Sequence, residues 1–338
     1  MRVLVTGGNG FVGKHVLAAL SATKHEVLAP TREDINLLHH HDDYYDHAIP
    51  RSLAFELSHN KIDAVIHLAA LCGGIGINKE NPGKFMYENL QMGMNVIEAC
   101  RLADVKKLVN LSTVCSYPKF TPVPFKESDI WNGYPEETNA PYGIAKKACV
   151  ELGIAYHKQY GLNVTNLVPV NMAGEHDNFY LDSSHVLPAL IRKFEEAQAG
   201  KYSIPIMEIG KIDSDGSVIA YHPVTIWGTG KASREFLYAG DCAKAIVIAL
   251  ETDTGPEPIN LGTGEEITIK ELALLVRDVG GYHAGISWDI SKPDGQPRRC
   301  LDTSLAWKKL GWKSTTTIKE TVRRTIDWYR ANNGQTKT

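Results

Sequence analysis

The first thirteen residues constrain this chain more than any other stretch. Val3-Leu4-Val5-Thr6 reads as a short buried strand, and the residues up to about Leu20 read as an amphipathic helix. Between them lies Gly7-Gly8-Asn9-Gly10-Phe11-Val12-Gly13. In a strand–turn–helix of this kind Gly7 permits the tight turn, Gly10 lets the backbone approach a pyrophosphate, and Gly13 allows the helix to pack against the strand. The helix start, with Phe11 and Val12, then meets the phosphates with free N–H groups and a positive dipole end. A dinucleotide site is expected here.

The second strand, Glu26-Val27-Leu28-Ala29-Pro30, runs into Thr31-Arg32-Glu33-Asp34. At this tip an acid suits the ribose hydroxyls of NAD, whereas an arginine suits the 2′-phosphate of NADP. Arg32 comes first and favours NADP, while Glu33 and Asp34 pull the other way. Further apolar runs at Asp63–Ala70, Lys107–Ser112 and Asn163–Val168 predict buried strands, with helices at about Pro82–Leu102 and Tyr142–Tyr160. Strands alternating with helices imply right-handed crossovers and a doubly wound parallel α/β sheet of Rossmann type. From about Ala173 the alternation fades. The expected division is a dinucleotide-binding domain over 1–172 and a mainly substrate-binding part over 173–338, some of whose later elements return to the sheet.

Composition narrows the partners. The 338 residues suggest about two domains at ~150 residues each. A net charge of -3 supplies no basic field for nucleic acid or an anionic membrane. No run approaches the ~18 apolar residues of a membrane helix, and no signal peptide is apparent. The six cysteines are irregularly spaced with no Cys-x-x-Cys, which argues against zinc, against a disulfide framework and for a reducing, cytoplasmic compartment. His39-His40-His41 with Asp42-Asp43 is read as a solvated segment, because adjacent residues rarely converge on one ion. No metal is expected.

Tyr142 and Lys146 lie four apart, on one face of a helix that follows the fourth strand, and Thr113 stands at that strand's C-terminal end. Active sites of open parallel sheets form at such ends. A phenol has an ordinary pKa near ~10, which a neighbouring ammonium and a positive cofactor ring lower. Thr113 can hydrogen-bond the substrate oxygen. The set suits hydride chemistry at a carbonyl or carbinol.

With its glycine turn, Tyr142-x-x-x-Lys146 resembles the extended short-chain dehydrogenase/reductase superfamily. Other segments resemble its GDP-L-fucose synthase family: Gly73-Gly74-Ile75, Cys115-Ser116-Tyr117-Pro118-Lys119, His176-Asp177-Asn178-Phe179, Ser184-His185-Val186-Leu187-Pro188, Arg234-Glu235-Phe236-Leu237 and Ser291-Lys292-Pro293-Asp294-Gly295. The resemblance spans about residues 2–330. It implies 3,5-epimerisation of a 4-keto-6-deoxy GDP-sugar followed by NADPH-dependent reduction at C4, in a homodimer formed through the two long helices. By the same resemblance Tyr142 donates the proton to the C4 oxygen, while Lys146 holds the cofactor ribose and tunes Tyr142. Cys115 and His185 are the epimerisation pair, Asn171 borders the cofactor, and Lys193, Trp227, Arg234, Asp294 and Arg298 contact the GDP-sugar. The epimerisation itself is chemically sensible, since a C4 ketone acidifies C3 and C5 and needs a base and an acid on opposite ring faces. Which of Cys115 and His185 is the base stays open.

Three departures from that pattern bear on specificity. Asn9 stands where the family often has an arginine near the 2′-phosphate, and Thr113 replaces serine. Residues 200–225 form a longer segment than the family's, with an extra hairpin expected around Asp215-Gly216. A 4,6-dehydratase would carry Asp-Glu after the strand-end threonine, where this chain has Val114-Cys115. A GDP-mannose 3,5-epimerase, or a C4 reductase of another 4-keto GDP-sugar, remains an alternative.

Overall fold

A computed structural model describes residues 1–38, 49–200, 223–292 and 294–332. The His39–Asp43 cluster and the hairpin expected within 200–225 lie outside the described residues, as does Pro293. Through residue 169 the chain alternates as β1 (Arg2–Thr6), α1 (Phe11–Ser21), β2 (Glu26–Leu28), α2 (Ile49–His59), β3 (Ala64–His67), α3 (Ile75–Glu80), α4 (Pro82–Leu102), β4 (Lys107–Leu111), α5 (Ala140–Tyr160) and β5 (Val164–Pro169). There follow β6 (Asn171–Ala173), α6 (Val186–Gln198), β7 (Val224–Trp227), β8 (Ser233–Tyr238), α7 (Ala239–Glu251), β9 (Ile259–Leu261), β10 (Glu266–Thr268), α8 (Ile269–Gly280), β11 (Ile286–Asp289), α9 (Ser304–Leu310) and α10 (Ile318–Ala331).

The main sheet has the order β2-β1-β3-β4-β5-β9, and every neighbouring pair is parallel. This is the doubly wound architecture that the alternation predicts. The chain moves outward from β1 to β2 and then returns to the other side of β1 with β3, so the order reverses between β1 and β3. In such sheets the crevice beyond the strand ends at that reversal holds the ligand. β3 is shorter than the apolar run 63–70 because the backbone leaves the ladder after His67. Leu68 N still donates to Thr6 O at 3.1 Å, and the chain then turns across the sheet's C-terminal edge.

From residue 171 on, the strands other than β9 form two small sheets, β10-β8-β6 and β11-β7. Their apolar faces meet α6, α8 and α10 in a separate core that includes Phe179, Phe194, Leu272 and Ile326. Meanwhile α7, β9 and α9 rejoin the main sheet, with Ile246, Leu261 and Leu310 sharing a core with Val5 and Val109. The C-terminal ends of β1, β3, β4 and β5 therefore open toward the second core, and the loops between the two carry the site.

Candidate active site

A cavity of about 530 Å³ lies along these strand ends. One end is built by the glycine turn. Gly7 has φ +72°, and a Cβ there would stand 2.7 Å from Ala69 N; one on Gly13 would stand 2.2 Å from Gly7 O. Only hydrogen atoms fit at these positions. Gly10 caps α1 without a side-chain hydrogen bond, and no acid occupies the first helical turn. Free N–H groups and the dipole thus face a wall that also includes Phe11, Val12, Asn9 and Arg32. Asp34 is engaged in its own turn, accepting from Thr31 N and Thr31 Oγ1 at 2.8 Å each, which leaves the exposed Arg32 at the tip of the crevice. These features fit a dinucleotide with a 2′-phosphate.

The other end carries the reacting groups. Thr113 follows β4 and caps a single helical turn, Val114–Ser116, its Oγ1 accepting from Cys115 N at 3.2 Å. Helix α5 packs onto this turn at Gly143, where a Cβ would approach Cys115 O to 2.1 Å. That contact brings Tyr142, and Lys146 one turn further on, to the same cavity as Thr113, Cys115 and His185. Tyr142 Oη lies 3.2 Å from Cys72 Sγ. Burial pushes the Tyr142 hydroxyl well above its ordinary value, aided by the Cys72 and Cys115 thiols, while a hydrogen bond with Thr113 opposes the shift. The expected lowering is therefore reversed in the protein alone, because desolvation of the phenolate dominates. Lys146, itself buried, is lowered by desolvation.

His185 caps α6 with no side-chain hydrogen bond to the helix. Desolvation in the cavity, and then the charge of Arg299, hold its imidazole below the ordinary value. The same Arg299 donates from Nη1 toward Cys115 Sγ at 3.7 Å. Its other nitrogens clasp Gln296 Oε1 at 2.9 and 3.2 Å. One buried guanidinium thus lies against the Cys115 sulfur and opposes positive charge on the His185 imidazole.

A family model for NAD dependent epimerases/dehydratases matches residues 3–262. This chain belongs to that family. A probable GDP-L-fucose synthase 1 from Oryza sativa subsp. japonica is 37% identical over 333 residues, covering 98% of this chain and 92% of that protein. GDP-L-fucose synthase of Escherichia coli K12 is 35% identical over 341 residues, covering 98% and 97%. A solved GDP-mannoheptose C4 reductase from Campylobacter jejuni, with NADP bound, superposes with a TM-score of 0.79 at 28% identity over 97% of this chain and 98% of that one. The resemblance carried by the motifs is borne out.

Within this epimerase/dehydratase frame the remaining expected residues separate into groups. Asn171, at the start of β6, lines the cavity and donates to Glu235 O at 3.1 Å. Lys193, Trp227, Arg234, Asp294 and Arg298 are not on the cavity wall. Asp294 pins the loop after β7 by accepting from Thr229 N and Thr229 Oγ1 at 2.6 and 2.7 Å. Arg234 donates to Asp294 O at 3.3 Å, and burial with the Arg299 charge brings it down to about 10. Trp227 is exposed on the same side with Lys292 Nζ 5.4 Å from its ring centre, and Lys193 donates to Thr225 O at 2.8 Å. Arg298 alone points elsewhere, paired with Glu266 at the surface. Its neighbour Arg299 is the arginine turned toward the site. Sequence reasoning missed Arg299 and Cys72. The doubled Arg298-Arg299 offered a hint, since successive side chains of an extended segment point to opposite faces.

Proposed function

We propose that this chain converts GDP-4-keto-6-deoxy-D-mannose to GDP-L-fucose, inverting C3 and C5 and then reducing C4 with NADPH. The observation that carries the reading is the convergence of Tyr142 and Thr113 with Cys115 and His185 in one cavity, beside a glycine turn fitted to a dinucleotide. Bound NADPH supplies the hydride for C4. Tyr142, protonated at neutral pH, gives its proton to the C4 oxygen, and Thr113 hydrogen-bonds the same oxygen. Lys146 sits one turn along α5 to hold the ribose. Cys115 and His185 are the epimerisation pair: one takes the proton next to the C4 ketone, and the other, in its protonated form, returns a proton on the opposite ring face. Lys193, Trp227, Arg234 and Asp294 form the GDP-side wall in the part that begins at residue 173.

The heptose C4 reductase superposed on this chain supports a second reading, in which the same apparatus reduces another 4-keto GDP-sugar. A GDP-mannose 3,5-epimerase would consume no NADPH. The dimer we assign to α4 and α5, and the buried reduced thiols Cys100, Cys149 and Cys242 suit a cytoplasmic enzyme. Among the described residues no helix is long and apolar enough to cross a membrane.

A panel of 4-keto GDP-sugars in deuterated water tests all of this. Without NADPH, wild type should wash deuterium into C3 and C5, and with NADPH it should consume one equivalent per product. Cys115→Ala should abolish the exchange, and His185→Asn should fail to deliver the inverted product, while both still bind NADPH. Undiminished exchange and normal product formation by Cys115→Ala would make the thiol structural and place the base on another residue.

A further inference from the structure

Asp177 is a buried carboxylic acid that the chemistry above does not use. It is only 7% exposed, and Oδ1 accepts from Asn178 N at 2.7 Å. Oδ2 is buried and has no hydrogen-bond partner. Among the described residues other buried side-chain atoms share that condition, but Asp177 is the one whose residue lies on the wall of the catalytic cavity. Leaving such an oxygen unmatched is costly, and proteins keep the arrangement where something outside the fold completes it. Burial has also pushed the Asp177 carboxyl up to about 7, consistent with a group lacking compensation from the protein itself.

The loop around it is built to hold this position. His176 adopts φ +69° immediately before it. Asn178 Nδ2 donates to Ser183 Oγ at 2.8 Å, Tyr180 N donates to Asn178 Oδ1 at 2.9 Å, and Gly74 N donates to Ser183 O at 2.9 Å. The loop is thus braced against the segment that carries Cys72, and it ends at His185, which faces the same cavity. Whatever ring His185 addresses passes close to the braced loop.

We propose that Asp177 is a substrate-binding residue whose Oδ2 hydrogen-bonds a hydroxyl of the hexose. This rests on the functional reading above and names the sugar hydroxyl, rather than the nucleotide, as the partner. The hydroxyl donates to the carboxylate oxygen, which an amide nitrogen, a donor only, cannot replace as acceptor.

Asp177→Asn keeps Oδ1 for Asn178 and replaces the unmatched oxygen by an amide nitrogen. The Michaelis constant for GDP-4-keto-6-deoxy-D-mannose should rise at least ~10-fold, the loss expected when a hydrogen bond to a charged group is removed. Binding of GDP alone and of NADPH, measured by calorimetry, should stay within about two-fold of wild type, because neither carries the hexose. The melting temperature of the ligand-free variant should be unchanged or higher, since a costly buried charge has gone. A lower melting temperature with all ligands weakened together would show a purely structural aspartate and overturn the proposal. A selective loss of NADPH binding would place Oδ2 on the nicotinamide instead, and an unchanged sugar constant would show that solvent satisfies it. Each of those results requires wild type to be active; an inactive wild type on every keto-sugar overturns the functional reading first.

Discussion

In the protein alone burial keeps the Tyr142 hydroxyl protonated well beyond neutral pH, which is the form that reduction of a ketone needs. Tyr142→Phe keeps the ring and its edge contact with Phe85 but deletes the proton. Turnover in reduction should fall by ~10²–10⁴-fold, the span typical of a general acid, with little change in NADPH affinity. A near wild-type rate in stopped-flow reduction would remove Tyr142 from its role. Arg32 invites a different measurement. Because Asp34 is occupied by Thr31, the guanidinium is the group left to meet a 2′-phosphate. Charge-assisted bonds of that kind are worth roughly 1.5–3 kcal/mol, so Arg32→Ala should raise the constant for NADPH at least ~10-fold and leave NADH nearly unaffected. Equal losses with both cofactors would end the case for NADP. At this scale the sequence is legible where chemistry follows local spacing, as with Tyr142 and Lys146. It is silent where a side chain's role depends on which way a distant loop faces: Arg299 rather than Arg298 meets Cys115, and Cys72 arrives beside Tyr142 only because the chain turns over the end of β3.

Elements were easier to read than residues, for a physical reason. Strands buried on both faces leave continuous apolar runs, and α4 and α5 have Pro82 and Pro141 near their starts, with Gly161 in the left-handed conformation after α5. The shortest strands from residue 171 on left no such mark, because β6, β9 and β10 are three residues each and are defined by long-range pairing alone. What positions the site is the contact between two elements. At Gly143, α5 touches the turn after β4 so closely that any side chain would collide with the Cys115 carbonyl. Gly143→Ala should therefore cost ~1–3 kcal/mol, the usual range for overpacking, visible as a lower melting temperature. The variant should also lose deuterium exchange at C3 and C5 more severely than NADPH binding, since the displaced turn holds Thr113 and Cys115 while the glycine turn lies on another loop. Retained exchange at wild-type rate would mean that the turn accommodates the methyl elsewhere.

For the whole molecule, the question is what covers the outer faces of α4 and α5. These helices, 21 residues each, pack against one another and run about 30 Å at 1.5 Å per residue. Their inner faces are fully used: Gly93 lets α4 approach Cys149 of α5, where a Cβ would come within 2.2 Å of the sulfur. The outer face is oily for a surface. Tyr87 and Met94, two turns apart on α4, are 59% and 37% exposed, and Tyr160 at the end of α5 is 49% exposed. Positions seven apart share one side of a helix, so Tyr87 and Met94 form a stripe rather than scattered exposure. Two such helix pairs related by a twofold axis would bury their stripes in a four-helix contact, the isologous arrangement that most homodimers adopt. Tyr142 and Lys146 face inward toward the cavity, so each site would remain complete within its own chain. Light scattering should give a dimer for wild type and a monomer for the double variant Tyr87→Glu with Met94→Glu, because charges buried without partners oppose association. The monomer should still bind NADPH with wild-type affinity. A wild type that is monomeric at micromolar concentration, or a double variant that stays dimeric, would move the interface off these helices.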